Sequence, residues 1–278
     1  MTISRIAVGL DGSPHAEAAL GHALRLARAA SATVRGVHVV DRSLLDGVVV
    51  ADLSASVGFQ PFLNLSGELR EALVSAGGAI VAAFEERAKE AGVTFEPVLR
   101  EGNVSEILFD ESADCDLTAV GSRGSNAEHR RDFIGRHTDS LARRMPAPLL
   151  VAPAEYVEFR APVLAWDGSP KARKALVLVS ELAALLELPV RVVTASDDER
   201  EGRSRLAEAE EELRHRRVTA SGSYRSGHAD DAIFAEIGAG GDLVAMGAHG
   251  HGRVVELVLG STTDRVLRAA KVAVLLAG

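Results

Sequence analysis

Short β-branched apolar runs alternate along this chain with longer stretches whose apolar residues recur every three or four positions. "RIAVGL" (5–10) reads as a strand and runs into "DGSP", a turn and helix-start signal. Ala19, Leu20, Ala23, Leu26 and Ala27 then keep helical spacing to about Ala30. The strand "ATVRGVHVV" (32–40), a long connection and a helix from about Ser66 to Ala91 follow. After them come the strand "VTFEPVL" (93–99), the short helix "VSEILFDESA" (104–113), the strand "DLTAVG" (116–121), a helix over 135–144 and the strand "PLLVA" (148–152). "VLAW", "PVRVVTA", "RVTASGS", "DLVAMG" and "VAVLLA" repeat the strand series between 163 and 277. Strands alternating with helices predict an α/β fold with a parallel sheet covered on both faces.

The repetition extends to the letters. "IAVGLDGSPHAEAAL" and "VLAWDGSPKARKAL" place Asp11 on Asp167, an offset of 156 that also maps Val34 on Val190. "CDLTAVGSRGS" matches "GDLVAMGAHGH", placing Gly121 on Gly247. The chain therefore divides into two related domains, 1–155 and 156–278, each expected to be a doubly wound five-stranded parallel sheet. Its 278 residues suffice for two such domains. Acidic residues outnumber basic ones by six in the first domain and two in the second, which argues against a nucleic-acid partner. No apolar stretch approaches about 18 residues, so no membrane span is expected. The start reads directly into a strand, with no signal-peptide organisation. One cysteine, Cys115, excludes an internal disulfide and fits a reducing cytoplasm; it reads as a packed turn residue rather than a reactive thiol.

In open parallel sheets ligands lie beyond the carboxyl ends of the strands, where strand order reverses. There "DGSP" would face "GAHGHGRVVELVLGS". The "GSTTDRVL" helix start offers unpaired backbone N–H groups and a partial positive charge, with Ser261 or Thr262 as candidate caps. Gly247 and Gly250 let the main chain approach a phosphate, or they simply make a tight turn. Asp167 is either a ligand contact or the cap of the helix "SPKARKAL". No G-x-x-x-x-G-K-[ST] occurs, and the first turn is not G-x-G-x-x-G.

Gly247-Ala-His-Gly250, nine residues, then Gly260-Ser261, with Asp167 after the first strand of its half, resembles the universal stress protein family. The resemblance covers essentially the whole chain as two tandem copies. It implies a five-stranded α/β sheet per copy and binding of ATP, with Mg2+ as a companion. Carried onto this chain, it implies that Asp167 and Gly168 face adenine and that the backbone at Val193 and Thr194 lines the base pocket. Gly247, His249, Gly250, Gly260, Ser261 and Thr262 would hold ribose and phosphates. It also implies that the two halves join through their last strands, edges that in the family commonly join separate chains.

The first half departs from that pattern. Gly121-Ser-Arg-Gly124 is followed by ten residues and then Gly135-Arg136, so the loop is longer and the serine is replaced. Asp11, Val39, Gly121, Arg123, Gly124 and Gly135 make up a weaker candidate site. The arginines either pair with phosphate or mark a decayed cradle. His249 and His251 lack a carboxylate partner and are poor metal ligands. His15 reads as an exposed first-turn residue, and His215 as part of a solvated helix face. The connection 41–65 is a lid over the first crevice or an ordered insertion. No nucleophile–base pair or paired-carboxylate site stands out. The reading is a cytoplasmic ATP-binding stress-response protein, an intramolecular pseudo-dimer that acts through ligand-dependent interaction with a protein partner or a second copy. The alternatives are a slow ATP hydrolase or adenylate-transferring enzyme, and an interaction module without nucleotide.

Overall fold

A computed structural model describes residues 3–43, 65–124, 134–145, 147–248 and 259–278. The first half contributes β1 (Arg5–Leu10), α1 (Pro14–Ala30), β2 (Thr33–Asp41), α2 (Leu65–Glu90), β3 (Phe95–Gly102), α3 (Val104–Glu111), β4 (Leu117–Gly121), α4 (Arg136–Arg144) and β5 (Leu149–Ala152). The second contributes β6 (Pro162–Ala165), α5 (Pro170–Leu186), β7 (Val190–Ala195), α6 (Glu199–His215), β8 (Ala220–Arg225), α7 (Ala229–Gly238), β9 (Leu243–Gly247), α8 (Ser261–Ala269) and β10 (Ala273–Ala277). The 41–65 connection lies almost entirely outside the described residues.

Each half is a parallel sheet, and the two halves fuse into one ten-stranded sheet ordered β3-β2-β1-β4-β5-β10-β9-β6-β7-β8. At the seam β5 and β10 run antiparallel, with Val151 opposite Val274, Leu150 opposite Leu275 and Leu149 opposite Leu276. The last strands thus join as the family resemblance implies. All residues of both strands are buried, so either edge left open would be an apolar template for aggregation; pairing removes both. Helices α1, α2, α5 and α6 cover one face and α3, α4, α7 and α8 the other. Alternation along β10 shows the division: Ala273, Leu275 and Ala277 join the first core, Val274 and Leu276 the second.

The linker between the halves is strapped to α1. Phe159 is fully buried and stacks on His22, with ring centroids 4.3 Å apart. Arg25 donates to the Phe159 carbonyl at 3.3 Å and pairs with Glu158 at 3.3 Å.

Both "DGSP" turns fold alike. Asp11 and Asp167 each accept from the backbone N–H two residues on, at 2.9 Å. Gly12 (φ 73°) and Gly168 (φ 77°) take the left-handed conformation that the turn needs. Ser13 and Ser169 are the caps, accepting from Ala16 at 3.2 Å and Ala172 at 3.1 Å, with proline opening each helix. Asp167 is therefore not the cap of α5; it closes the turn before it. Ser169→Ala should cost about 1 kcal/mol of folding stability, read as a lower urea midpoint with an unchanged slope.

Candidate functional site

Strand order reverses twice, between β1 and β4 and between β6 and β9. Each reversal opens a crevice, and the two crevices are built from the same parts.

In the second, β9 ends at Gly247 directly against the first turn of α5. A Cβ there would lie 2.6 Å from the Lys171 Cβ and 3.0 Å from its backbone carbon. This glycine is demanded by close packing of strand end on helix start. Thr263, buried, donates its hydroxyl to the Gly247 carbonyl at 3.2 Å and so ties α8 to the strand end. Gly260 caps α8 with no side-chain hydrogen bond. Ser261, exposed, is the first helical residue, and Thr262 is half-buried; neither is the cap. The first-turn N–H groups therefore keep their positive end for an incoming anion. His249 and Gly250 lie outside the described residues.

Val193 and Thr194 sit inside the ladder rather than at its end. The Val193 carbonyl accepts from the Trp166 backbone N–H at 2.9 Å, and both side chains are buried. Ala195 ends β7, and by the 156-residue offset it is the counterpart of Val39. The repeat itself carried that signal. Near the Asp167-Gly168 turn, Arg205 on α6 reaches to 4.0 Å from where a Gly168 Cβ would be.

The first crevice repeats the frame. A Cβ on Gly121 would meet the His15 Cβ at 2.7 Å, and Thr138 donates to the Gly121 carbonyl at 2.8 Å. The Gly135 N–H donates to the Ser122 carbonyl at 2.8 Å, and a Gly124 Cβ would lie 3.0 Å from Asp11 Oδ2. Asp11, Gly121, Gly124 and Gly135 are thus gathered in one place. Other features fill space that the second crevice leaves differently. His38, counterpart of Thr194, bonds through Nδ1 to the Leu10 carbonyl at 2.7 Å. Ile80 of α2 lies 3.6 Å from the Gly12 Cβ position, where Arg205 reaches towards the second crevice's turn. Arg123 lines a cavity of about 270 Å³ at the seam with His15, Arg268 and Lys271. His15 is half-buried, not exposed; burial first, then Arg123, holds its imidazole below the ordinary range.

The repeated turn, strand-end glycine and helix start agree with the comparisons. The universal stress protein family model matches residues 2–153 and again 159–278. The chain belongs to the universal stress protein family. A universal stress protein, Slr1230 of Synechocystis sp., is 29% identical over 281 residues, 95% of this chain and 96% of that protein. Another from Mycolicibacterium smegmatis is 27% identical, covering 95% of this chain and 94% of its own length. A solved universal stress protein from Archaeoglobus fulgidus shares the fold over the full length of both chains, with a TM-score of 0.78 at 16% identity.

Other sequence expectations find their places within this universal stress protein. Cys115 is buried, and burial pushes its thiol up to about 11, so it is a packed residue. His215 sits on the charged face of α6 beside Glu211, 3.1 Å away. Among the described residues there is no cluster of side chains fit to hold a metal, and no helix long and apolar enough to cross a membrane. Thr138, Thr263 and the capping serines were not singled out in the sequence, although "DGSP" contains both caps.

Proposed function

We propose that this universal stress protein binds ATP in the second crevice and works by presenting a nucleotide-dependent surface to a partner, in the cytoplasm. The observation that carries the reading is the start of α8. It has no side-chain cap, it follows a glycine-rich loop, and it lies across a strand-order reversal from the Asp167 turn. Such a start suits phosphate, because first-turn amides have no partner within their own helix and its dipole favours negative charge. The residues fit the nucleotide that the family motif implies. Gly247, Gly260, Ser261 and Thr262 belong to the phosphate end, with His249 and Gly250 in the loop between. Asp167, Gly168 and the β7 end at Val193, Thr194 and Ala195 belong to the adenosine end. Mg2+ would accompany the phosphates.

Residues 156–278 form the binding domain in this reading, and residues 1–155, with Arg136 in place of the serine, the degenerate copy. The edges that join separate copies are used inside this chain, so a homodimer would need another surface.

Ser261→Ala keeps the amide and loses the hydroxyl. ATP affinity measured by calorimetry should fall about tenfold, since a neutral hydrogen bond contributes roughly 0.5–1.5 kcal/mol, a charge-assisted one roughly 1.5–3, and about 1.4 kcal/mol is a factor of ten. Adenosine should bind equally well to both proteins. Equal weakening of adenosine and ATP would remove α8 from the phosphate site. Release of ADP at a steady rate would favour the slow-hydrolase alternative.

A further inference from the structure

The first half converges three side chains that the second half does not. Asp41 ends β2, Ser105 lies in the first turn of α3, and His137 lies in the first turn of α4. Ser105 Oγ is 2.9 Å from His137 Nδ1, and His137 Nε2 is 3.8 Å from Asp41 Oδ2. The other oxygen of Asp41 accepts from the Ser43 backbone N–H at 2.9 Å, which orients the carboxylate. Counting from the helix caps Asn103 and His228, Ser105 stands where the second half has Asp230, which pairs with Arg265 of α8. His137 follows Arg136, at the point where the phosphate serine of the motif is lost.

We propose that Ser105, His137 and Asp41 form an acyl-transfer centre that cleaves small carboxylic esters bearing an anionic group. A hydroxyl within hydrogen-bond reach of an imidazole, itself facing a carboxylate, is the arrangement of a serine nucleophile with its base. His137 Nε2 lies 3.5 Å from the Arg136 guanidinium and 3.8 Å from Asp41; in the tautomer that carries the ring proton on Nε2, Nδ1 is bare and accepts the Ser105 proton. Ser105 attacks the ester carbonyl carbon, and its proton passes to Nδ1. The bond from that carbon to the alcohol oxygen then breaks, and the proton moves from Nδ1 to the departing oxygen. Water adds to the acyl-serine by the same route, releasing the acid and restoring the hydroxyl.

The surroundings favour this use. Ser105 lies at the positive end of α3, which lowers the cost of a developing alkoxide. Burial, then Arg136, holds the His137 imidazole below the ordinary range while Asp41 opposes them, so the ring is neutral near pH 7 and able to accept a proton. About a third of the His137 side chain is exposed, so the imidazole is reached from solvent, with Ser105 buried behind it. The Arg136 guanidinium, three-quarters exposed and 3.7 Å from Asp41, and the α4 start, which has no side-chain cap, supply positive charge for the anionic substrate. Asp41 is a positioning residue that keeps the ring oriented and stabilises it once protonated.

The test uses the full-length protein and a fluorophosphonate probe, followed by intact mass and peptide mapping. One adduct on Ser105 is expected, with none on Ser105→Ala. His137→Asn should slow labelling about 100-fold or more, because general-base help amounts to roughly 10²–10⁴. Hydrolysis of 4-nitrophenyl acetate should fall in step, and in Arg136→Gln the rate on 4-acetoxybenzoate, which carries a carboxylate, should drop relative to the rate on 4-nitrophenyl acetate. Should Ser105→Ala fail to fold by circular dichroism, Ser105→Cys gives a second readout: alkylation by iodoacetamide at pH 7 that slows when His137 is also changed to asparagine. Buried Cys115 contributes little background. Absence of a Ser105 adduct, or labelling indifferent to His137→Asn, would overturn the proposal and leave the pair as a tie between α3 and α4.

Discussion

Leu275→Ala and Leu150→Ala, opposite one another at the β5–β10 seam, will each lower the free energy of unfolding by about 2–5 kcal/mol. Both side chains are essentially fully buried, at 1% and 0% exposure, in the core under α1 and α5. Each truncation removes apolar area and leaves a void that a sheet locked by main-chain bonds cannot close. The double variant should differ from the sum of the two by about 0.5–3 kcal/mol, because the neighbours share one cavity. Urea unfolding of the wild type and the three variants measures all of these terms. Strict additivity would mean that the halves do not pack on each other through these strands. The seam also makes the two halves one cooperative unit, so wild-type transitions followed by circular dichroism and by Trp166 fluorescence should coincide.

The second large effect depends on pH. His22 is 1% exposed, and its Nδ1 has no hydrogen-bond partner among the described residues. Burial, then the neighbouring Arg25 charge, pulls its pKa from 6.5 to about 4. The unfolded chain therefore takes up a proton between pH 6.5 and 4 that the folded chain refuses. Stability from this residue is complete above pH 6.5 and declines as pH falls towards 4. The loss from this source is roughly 2 kcal/mol at pH 5 and 3 kcal/mol at pH 4. Its counterpart by the 156-residue offset is Leu178, so His22→Leu is a substitution the fold already uses. That variant should be at least as stable as wild type at pH 7 and gain the stated margin in acid, compared by urea unfolding at each pH. A gap between the two proteins that stays constant from pH 7 to pH 4 would show that His22 titrates normally.

Much of this architecture was legible because its signals are local. The strand positions follow from β-branched runs, and the helices from three-four spacing; the expected helix from Ser66 to Ala91 and the observed α2, Leu65–Glu90, differ by one residue at each end. The DGSP turn reads as a helix start, yet its letters admit Asp167 as the cap. A one-letter pattern cannot tell which of two adjacent oxygen-bearing residues bonds N2 or N3. The chain geometry decides it: Gly168 at φ 77° turns the backbone so that Ser169 reaches the helix and Asp167 reaches only Ser169.

The glycines divide along the same line. In the sequence Gly247 reads as room for phosphate or as a tight turn; in the structure it is required by the first turn of α5, 76 residues away. Its role depends on two strands from different repeats of the βα unit becoming neighbours, which is a property of strand order. The Ser105–His137 bond and the His22–Phe159 stack have the same origin. Each joins residues whose separation in sequence carries no periodic signal, so no pass along the chain could have found a nucleophile beside a base.

By itself the sequence determined the duplication, the α/β alternation, the family, and the contrast between an intact and a broken glycine motif. These reside in letter order and in periodicities of two and 3.6, which survive without knowledge of neighbours. Only the tertiary structure decided that the two sheets are one. It also decided that Ser13 and Ser169 are the caps, that Val193 and Thr194 lie inside the ladder with Ala195 at its end, and that Asp41, Ser105 and His137 meet. The physical reason is that hydrogen-bond partners, burial and imidazole protonation are set by what packs across the strand-order reversals, and that packing exists only once distant βα units share a sheet.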